Sequence, residues 1–216
     1  MKTGILFDLD GTLLDSLGDL TDAVNYTLRY YGLPERTLDE VRSFVGNGAK
    51  RLVASSLPGK ESDPPVEEAL AVFKAYYADH CQIKTCAYEG IVEALAEIRK
   101  EFPVAVVSNK PDIATKPLCK ALFGEDIYAL GEVPGCPRKP APDMIRKAME
   151  VIGVETCIYV GDSEVDVVTA QNVGAPCLSV LWGFRDRALL AEHGATHFCE
   201  KPQDLPICIK EIVNNG

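Results

Sequence analysis

Four short segments of the chain are continuously apolar: Ile5-Leu6-Phe7, which then meets Asp8, Val104-Ala105-Val106-Val107, Cys157-Ile158-Tyr159-Val160, and Pro176-Cys177-Leu178-Ser179-Val180-Leu181. Runs without alternation predict strands covered on both faces, as in a parallel sheet between two layers of helices. Between them the apolar positions change to helical spacing. Ile91, Ala94, Leu95, Ile98 and Phe102 make one stripe, and Ile145, Ala148, Met149 and Ile152 make another, with Pro142 suited to the first turn of the second. From about residue 88 onward helix and strand alternate, which predicts a doubly wound α/β fold with a parallel sheet.

Residues 15–85 break this alternation. Leu17, Leu20, Val24, Leu28 and Tyr31 keep helical spacing, and so do Val66, Leu70, Phe73 and Tyr77 after a Ser62-Asp63-Pro64-Pro65 start. The pattern predicts an inserted α-helical domain at 15–85, interrupting an α/β core made of 1–14 and 86–216. The insertion follows the carboxyl end of the first strand, which is the edge where open α/β sheets bind ligands. Pro117 lies in a stretch, Asp112 to Phe123, that otherwise reads as helix, so a kink or a late start is expected there.

Composition narrows the function classes. The 216 residues are 47% hydrophobic and 25% charged, which excludes disorder and fibrous repeats. A net charge of −10 with no basic patch argues against nucleic-acid or anionic-membrane partners. An anionic substrate would need its repulsion offset locally, and a divalent cation does that. The eight cysteines show no C-x-x-C spacing and read as small buried hydrophobes in a reducing compartment. The apolar run at the start is too short for a secretion signal, and no later run reaches membrane-spanning length, so the cytoplasm is the expected location.

Chemistry concentrates at the predicted strand ends. Asp8-Leu9-Asp10-Gly11-Thr12-Leu13-Leu14-Asp15-Ser16 follows the first strand, and Gly161-Asp162-Ser163-Glu164-Val165-Asp166 follows the third. An Asp-Gly turn, or helix capping with favourable dipole placement, accounts for any one of these acids. It does not account for the pattern recurring at two strand ends of one sheet. Adjacent strand tips would bring Asp8, Asp10 and Asp162 together, and like charges so placed call for a cation, with hard oxygen ligands favouring Mg²⁺. Glu164 is expected to face solvent. Val107-Ser108-Asn109-Lys110 ends another strand with a hydroxyl and an amide, and Arg138-Lys139-Pro140-Ala141-Pro142 puts a lysine at a rigid turn before a helix. Singly these are turn chemistry and a solvated charge; their order along one sheet gives them weight.

The ordered set D-x-D-G-T-L-x-D-S, S-N-K, K-P-x-P and G-D-S-x-x-D, from residue 8 to 166, resembles the haloacid dehalogenase-like superfamily of phosphohydrolases, with the helical insertion where that family carries its cap. The resemblance implies that Asp8 is the nucleophile and Asp10 the general acid and base. It implies that Mg²⁺ is held by the Asp8 carboxylate, the Asp10 backbone carbonyl and Asp162, with Asp166 binding directly or through water. Ser108 and Asn109 would hold the phosphoryl oxygens, Lys139 would neutralise their charge, and Gly11 and Thr12 would lie beside the substrate. Asp10 argues against the dehalogenase branch. The segment Phe44 to Leu52 looks like the cap loop of bacterial phosphoglycolate phosphatases, as do Trp182-Gly183 and His193-Gly194-Ala195. Gly46, Asn47 and Gly48 would then approach a small phosphorylated metabolite, with Lys50 or Arg51 reaching a carboxylate, in a monomer or homodimer. A mutase of the β-phosphoglucomutase kind, a pyrophosphatase, a phosphonatase with a cap lysine, and a non-catalytic phosphate-binding module stay open.

Overall fold

In a computed structural model, which describes residues 2–215, the first apolar run becomes β1 (Thr3–Phe7), with Ile5, Leu6 and Phe7 fully buried. The ends of the expected core segments, Met1 and Gly216, lie outside the described residues. A two-residue strand β2 (Leu14–Asp15) leads into four helices, α1 (Leu17–Tyr30), α2 (Leu38–Phe44), α3 (Gly48–Ser56) and α4 (Val66–His80), and the chain returns through β3 (Cys86–Ala87). Alternation then sets in: α5 (Ile91–Ile98), β4 (Val104–Pro111), α6 (Asp112–Phe123), β5 (Tyr128–Glu132), α7 (Asp143–Ile152), β6 (Thr156–Gly161), α8 (Glu164–Val173), β7 (Cys177–Val180), α9 (Arg187–Glu192), β8 (His197–Cys199) and α10 (Leu205–Asn215).

The six longer strands form one parallel sheet in the order β5-β4-β1-β6-β7-β8. Successive side chains along a strand point to opposite faces. Ile5 and Phe7 accordingly pack with Val106, Ile158, Ile91 and Ile209 on one side, while Leu6 meets Ala105, Val107, Tyr159 and Ile145 on the other. The chain turns opposite ways on either side of β1, so its carboxyl end lies between those of β4 and β6. Phe7 is in register with Val106 and with Val160, and the Asp8 amide donates to the Val160 carbonyl at 2.8 Å. This register brings Asp8, Ser108 and Asp162 to one edge.

The four helices between β2 and β3 have a core of their own, built on Leu20, Val24, Leu28, Val41, Leu52 and Phe73, joined from the sheet side by Ala114 and Phe184. Both connections run through the antiparallel ribbon β2·β3, in which Leu14 pairs with Ala87 and Asp15 with Cys86. Buried Asp19 on α1 gathers the returning chain, accepting from the amides of Ile83, Lys84 and Thr85 at 2.9–3.0 Å and from the Thr85 hydroxyl at 2.7 Å. Ionised acceptors of this kind make the stronger protein hydrogen bonds.

Some details differ from expectation. The helix containing Pro117 starts at Asp112 and runs through the proline; Ile113, whose carbonyl loses its partner to the missing N–H, is 83% exposed. Pro65 and Pro142 stand just before α4 and α7 rather than inside their first turns. Phe102 lies beyond the end of α5 but still packs against the core. All eight cysteines are free, and no helix among the described residues is long and apolar enough to cross a membrane.

Candidate active site

Asp8 leaves the tip of β1, and Asp162 and Asp166 stand at the end of β6 and in the first turn of α8. All three are buried, and each offers a carboxylate oxygen within 4.8 Å of the others. The cation recorded against them is Lys139, itself buried, with Nζ 2.8 Å from Asp8 Oδ1 and 2.8 Å from Asp166 Oδ1, also donating to the Tyr159 hydroxyl at 2.8 Å. Three acids to one lysine leave the cluster short of positive charge. Burial, then the Asp166 charge, push the Asp8 carboxyl up to about 7 despite the pull of Lys139. Burial, with Asp166 and Asp8 adding to it, holds Asp162 well above the ordinary carboxylate range. Lys139 stays charged, since its acids outweigh the burial that disfavours its ammonium.

The remaining contacts fix these carboxylates. Asp166 accepts from the Ser163 amide at 3.0 Å and the Ser163 hydroxyl at 2.6 Å through Oδ2, so it caps its own helix while Oδ1 takes Lys139. Asp162 accepts from the Thr12 hydroxyl at 3.0 Å and the Phe184 amide at 2.8 Å. Gly11 (φ +85°) and Gly183 are required here, because a Cβ on either would come within 2.3 Å of Asp162. Asp8 is less fully tied: its Oδ1 faces the Lys139 ammonium at 2.8 Å, and no other donor reaches that oxygen. Three buried carboxylates with one ammonium among them fit a hard divalent cation such as Mg²⁺.

Asp10 stands apart from this cluster. Its side chain pairs with Lys110, whose Nζ lies 3.0 and 3.2 Å from the two carboxylate oxygens. Lys110 also donates to the Tyr77 hydroxyl of α4 and sits 4.7 Å from the centre of that ring. Ser108 is buried inside β4, which runs on past the expected end at Val107 to Pro111 with a shift of register against β5, and its hydroxyl accepts from the Lys110 amide at 3.3 Å. Asn109 bridges the two units, donating to the Gly46 carbonyl at 3.1 Å and to the Lys139 carbonyl at 3.0 Å.

Between the helical unit and the sheet edge lies a cavity of about 50 Å³ open to water. Its floor is Asp8, Asp10, Ser108, Asn109 and Lys110; its roof is largely apolar, from Leu20, Val45, Ala49, Leu52 and Phe73. Gly46 and Gly48 line it; Asn47 does not, and neither do Gly11 and Thr12, which serve to seat Asp162. Lys50 and Arg51 are also outside it. On α3 the buried face is Ala49, Leu52, Val53 and Ser56, so helical spacing sends Lys50 and Arg51 outward, and Lys50 pairs with Glu67 on the surface.

Glu164 does not simply face solvent. It holds Nε of half-buried Arg185 at 2.9 Å, and the same guanidinium donates to the Arg42, Ser43 and Val45 carbonyls of the helical unit at 2.9, 3.3 and 2.7 Å.

The haloacid dehalogenase-like hydrolase family model matches residues 5–180. The chain belongs to that family. It is 36% identical over 207 residues to the phosphoglycolate phosphatase of Rhodobacter capsulatus, covering 92% of this chain and 93% of that protein. To phosphoglycolate phosphatase 1 of Pseudomonas aeruginosa it is 34% identical over 214 residues, covering 94% and 78%. A crystal structure from Lactobacillus delbrueckii subsp. bulgaricus, 38% identical, superposes with a TM-score of 0.87 over 97% of this chain and 99% of that one.

For this haloacid dehalogenase-like hydrolase, the sequence gives no functional role to Tyr77, Tyr159 or Arg185, and names Lys110 without giving it work. Tyr77 and Tyr159 sit on an apolar stripe and in an apolar strand, where a ring is expected and the hydroxyl alone was the signal. Arg185, just after Trp182-Gly183-Phe184, carries no local pattern.

Proposed function

We propose that this hydrolase is a Mg²⁺-dependent phosphatase of small phosphomonoesters, working through an aspartyl-phosphate on Asp8, with phosphoglycolate the leading substrate. The observation that carries the reading is the Asp8 carboxylate, buried at the floor of the cavity beside one lysine and two further acids. The names of the full-length relatives support the substrate.

Asp8 attacks phosphorus in line, and the bond from phosphorus to the ester oxygen breaks. Asp10 gives its proton to that oxygen, releasing an alcohol. Water then attacks the aspartyl-phosphate, passing a proton back to Asp10, and inorganic phosphate leaves as the Asp8 carboxylate is restored. Ser108 and neighbouring backbone amides hold the phosphoryl oxygens, while Lys139 offsets their charge. Asp8, the Asp10 carbonyl and Asp162 would hold Mg²⁺, with Asp166 direct or through water. When bound, the ion supplies the positive charge that lets a carboxylate approach a phosphate dianion. Residues 15–85 act as a cap over the core of 1–14 and 86–216, excluding water during transfer.

The apolar roof bears on the alternatives. A hexose phosphate would set several hydroxyls against Leu20, Leu52 and Phe73 with no partner, which disfavours a sugar mutase; the phosphoglycolate carboxylate would meet the same apolar face, so that substrate rests on the relatives' names. Phosphate release from phosphoglycolate, an aryl phosphate and glucose 1-phosphate, each with Mg²⁺ or EDTA, tests the reading. Chelatable turnover that favours the small ester is expected; turnover indifferent to EDTA would sink it.

A pH dependence follows from the same acids. Asp8 ionises near the ordinary aspartate value of 3.8 in the unfolded chain but at about 7 in the metal-free fold. Across that window the folded protein keeps a proton that the unfolded chain has lost, so metal-free stability falls as pH rises. A cation on the ionised acids restores what is lost. The rise in Tm on adding Mg²⁺ should therefore be larger at about pH 8 than at about pH 5.5. Equal shifts would count against these acids as ligands.

A further inference from the structure

A phosphomonoester that carries a second anion needs a cation for it, because a carboxylate left unpaired in an apolar pocket is strongly disfavoured. The roof of the cavity, with Leu20, Leu52 and Phe73, supplies none. Lys50 and Arg51, on the outward side of α3, stay outside it. The buried cations of the floor are already engaged. Lys139 lies 2.8 Å from both Asp8 and Asp166, and Lys110 lies 3.0 Å from the nearer oxygen of Asp10. Arg185 is held by Glu164 and by three carbonyls of the helical unit. Asn109 offers no help either, since its two amide hydrogens go to the Gly46 and Lys139 carbonyls.

Arg138 is less committed. It stands in the turn between β5 and α7, next to Lys139 in the chain, and its side chain is 39% exposed. The acid beside it, Glu132, is 3.8 Å from Nη1, beyond hydrogen-bond reach, and an exposed pair of this kind contributes little. The guanidinium therefore keeps donors to offer. Where it offers them is set by Gly48, which lines the cavity at the start of α3. A Cβ on Gly48 would come within 3.0 Å of Arg138 Nη1 and 3.4 Å of the Asn109 carbonyl oxygen, and its φ of +78° is left-handed. The missing side chain lets the guanidinium rest against the backbone of the cavity wall.

We propose that Arg138 is a specificity residue: it receives the second anion of a small phosphomonoester, so the preferred substrate class is an ester with a carboxylate close to its ester oxygen. The inference rests on the phosphatase reading and names the group that chooses among its substrates. A guanidinium presents paired N–H donors in one plane, which match the two oxygens of a carboxylate. Lys139 then offsets the charge at one end of the substrate and Arg138, the residue before it, at the other. The incoming carboxylate has only the loose Glu132 contact to displace. No bond forms or breaks at Arg138, and the contact is the same before and during phosphoryl transfer. Its loss is therefore read in KM rather than in kcat.

The test measures kcat and KM for phosphoglycolate and for ethyl phosphate, which lacks the second anion, in wild type, Arg138→Gln and Lys50→Gln. Wild type is expected to favour phosphoglycolate in kcat/KM. Arg138→Gln should lose at least about tenfold on phosphoglycolate, through KM, and less than about threefold on ethyl phosphate, whose turnover also reports that the variant is folded. Lys50→Gln, which removes an ammonium paired with Glu67 on the surface, should change neither ester by more than about twofold. Equal losses on both esters in Arg138→Gln, or no loss on phosphoglycolate, would overturn the assignment, and so would a selective loss found in Lys50→Gln instead. A wild-type enzyme inert towards both esters removes the phosphatase reading and this inference with it. A wild-type enzyme that turns over ethyl phosphate without favouring phosphoglycolate removes this inference alone.

Discussion

An Asp8→Asn variant folds and does not turn over. Asparagine keeps the shape but has no carboxylate to attack phosphorus, so phosphate release falls by on the order of 10⁴-fold or more. Stability moves the other way. In the metal-free protein an ionised Asp8 is unfavourable, because burial and Asp166 oppose its charge. The variant in EDTA at about pH 8 should melt no lower than wild type, and its gain from Mg²⁺ should shrink because one ligand is gone. Phosphate release and Tm with and without Mg²⁺ check both halves. More than about a tenth of wild-type activity would refute Asp8 as the nucleophile.

Lys139→Met has the opposite signature. Lys139 lies 2.8 Å from both Asp8 and Asp166, and its removal leaves buried carboxylates without their cation. Breaking a buried pair from one side costs about 3–5 kcal/mol, which a urea midpoint reads directly. If Lys139 offsets the phosphoryl charge as proposed, its loss is expected to lower kcat by about 10²–10³-fold. Mg²⁺ should recover part of the stability, since it offsets the same acids, but not the activity. A midpoint unchanged from wild type would show that Lys139 does not hold these carboxylates.

The sheet was legible because its strands are buried on both faces and announce themselves as apolar runs. β5 (Tyr128–Glu132) and β8 (His197–Cys199) escaped, one interrupted by glycine and glutamate at an outer edge, the other three residues long at the opposite edge. The floor of the site was legible for a related reason: Asp8, Ser108 and Asp162 directly follow Phe7, Val107 and Gly161, which strand register sets side by side, and Lys139 sits in the turn before α7. The roof was not. Lys50 and Arg51 are basic residues next to a glycine loop, but which face of α3 they occupy is decided by Ala49, Leu52 and Val53 burying the other one. Tyr77, Lys110 and Arg185 act across the junction of the two units, and contacts between residues 33 or 140 positions apart leave no local spacing to read.

Arg185 gives that junction a property of its own. The carbonyls it covers, from Arg42, Ser43 and Val45, lie at the end of α2, where a helix has acceptors left over and normally closes them with its own next residues or with water. Here the closing donor comes from the other unit. Parting the two units therefore uncaps α2, and its last turn frays in step with the separation. The Val45 amide, bonded to the Val41 carbonyl at 3.2 Å, becomes a gauge of that distance, exchanging its hydrogen faster whenever the units stand apart.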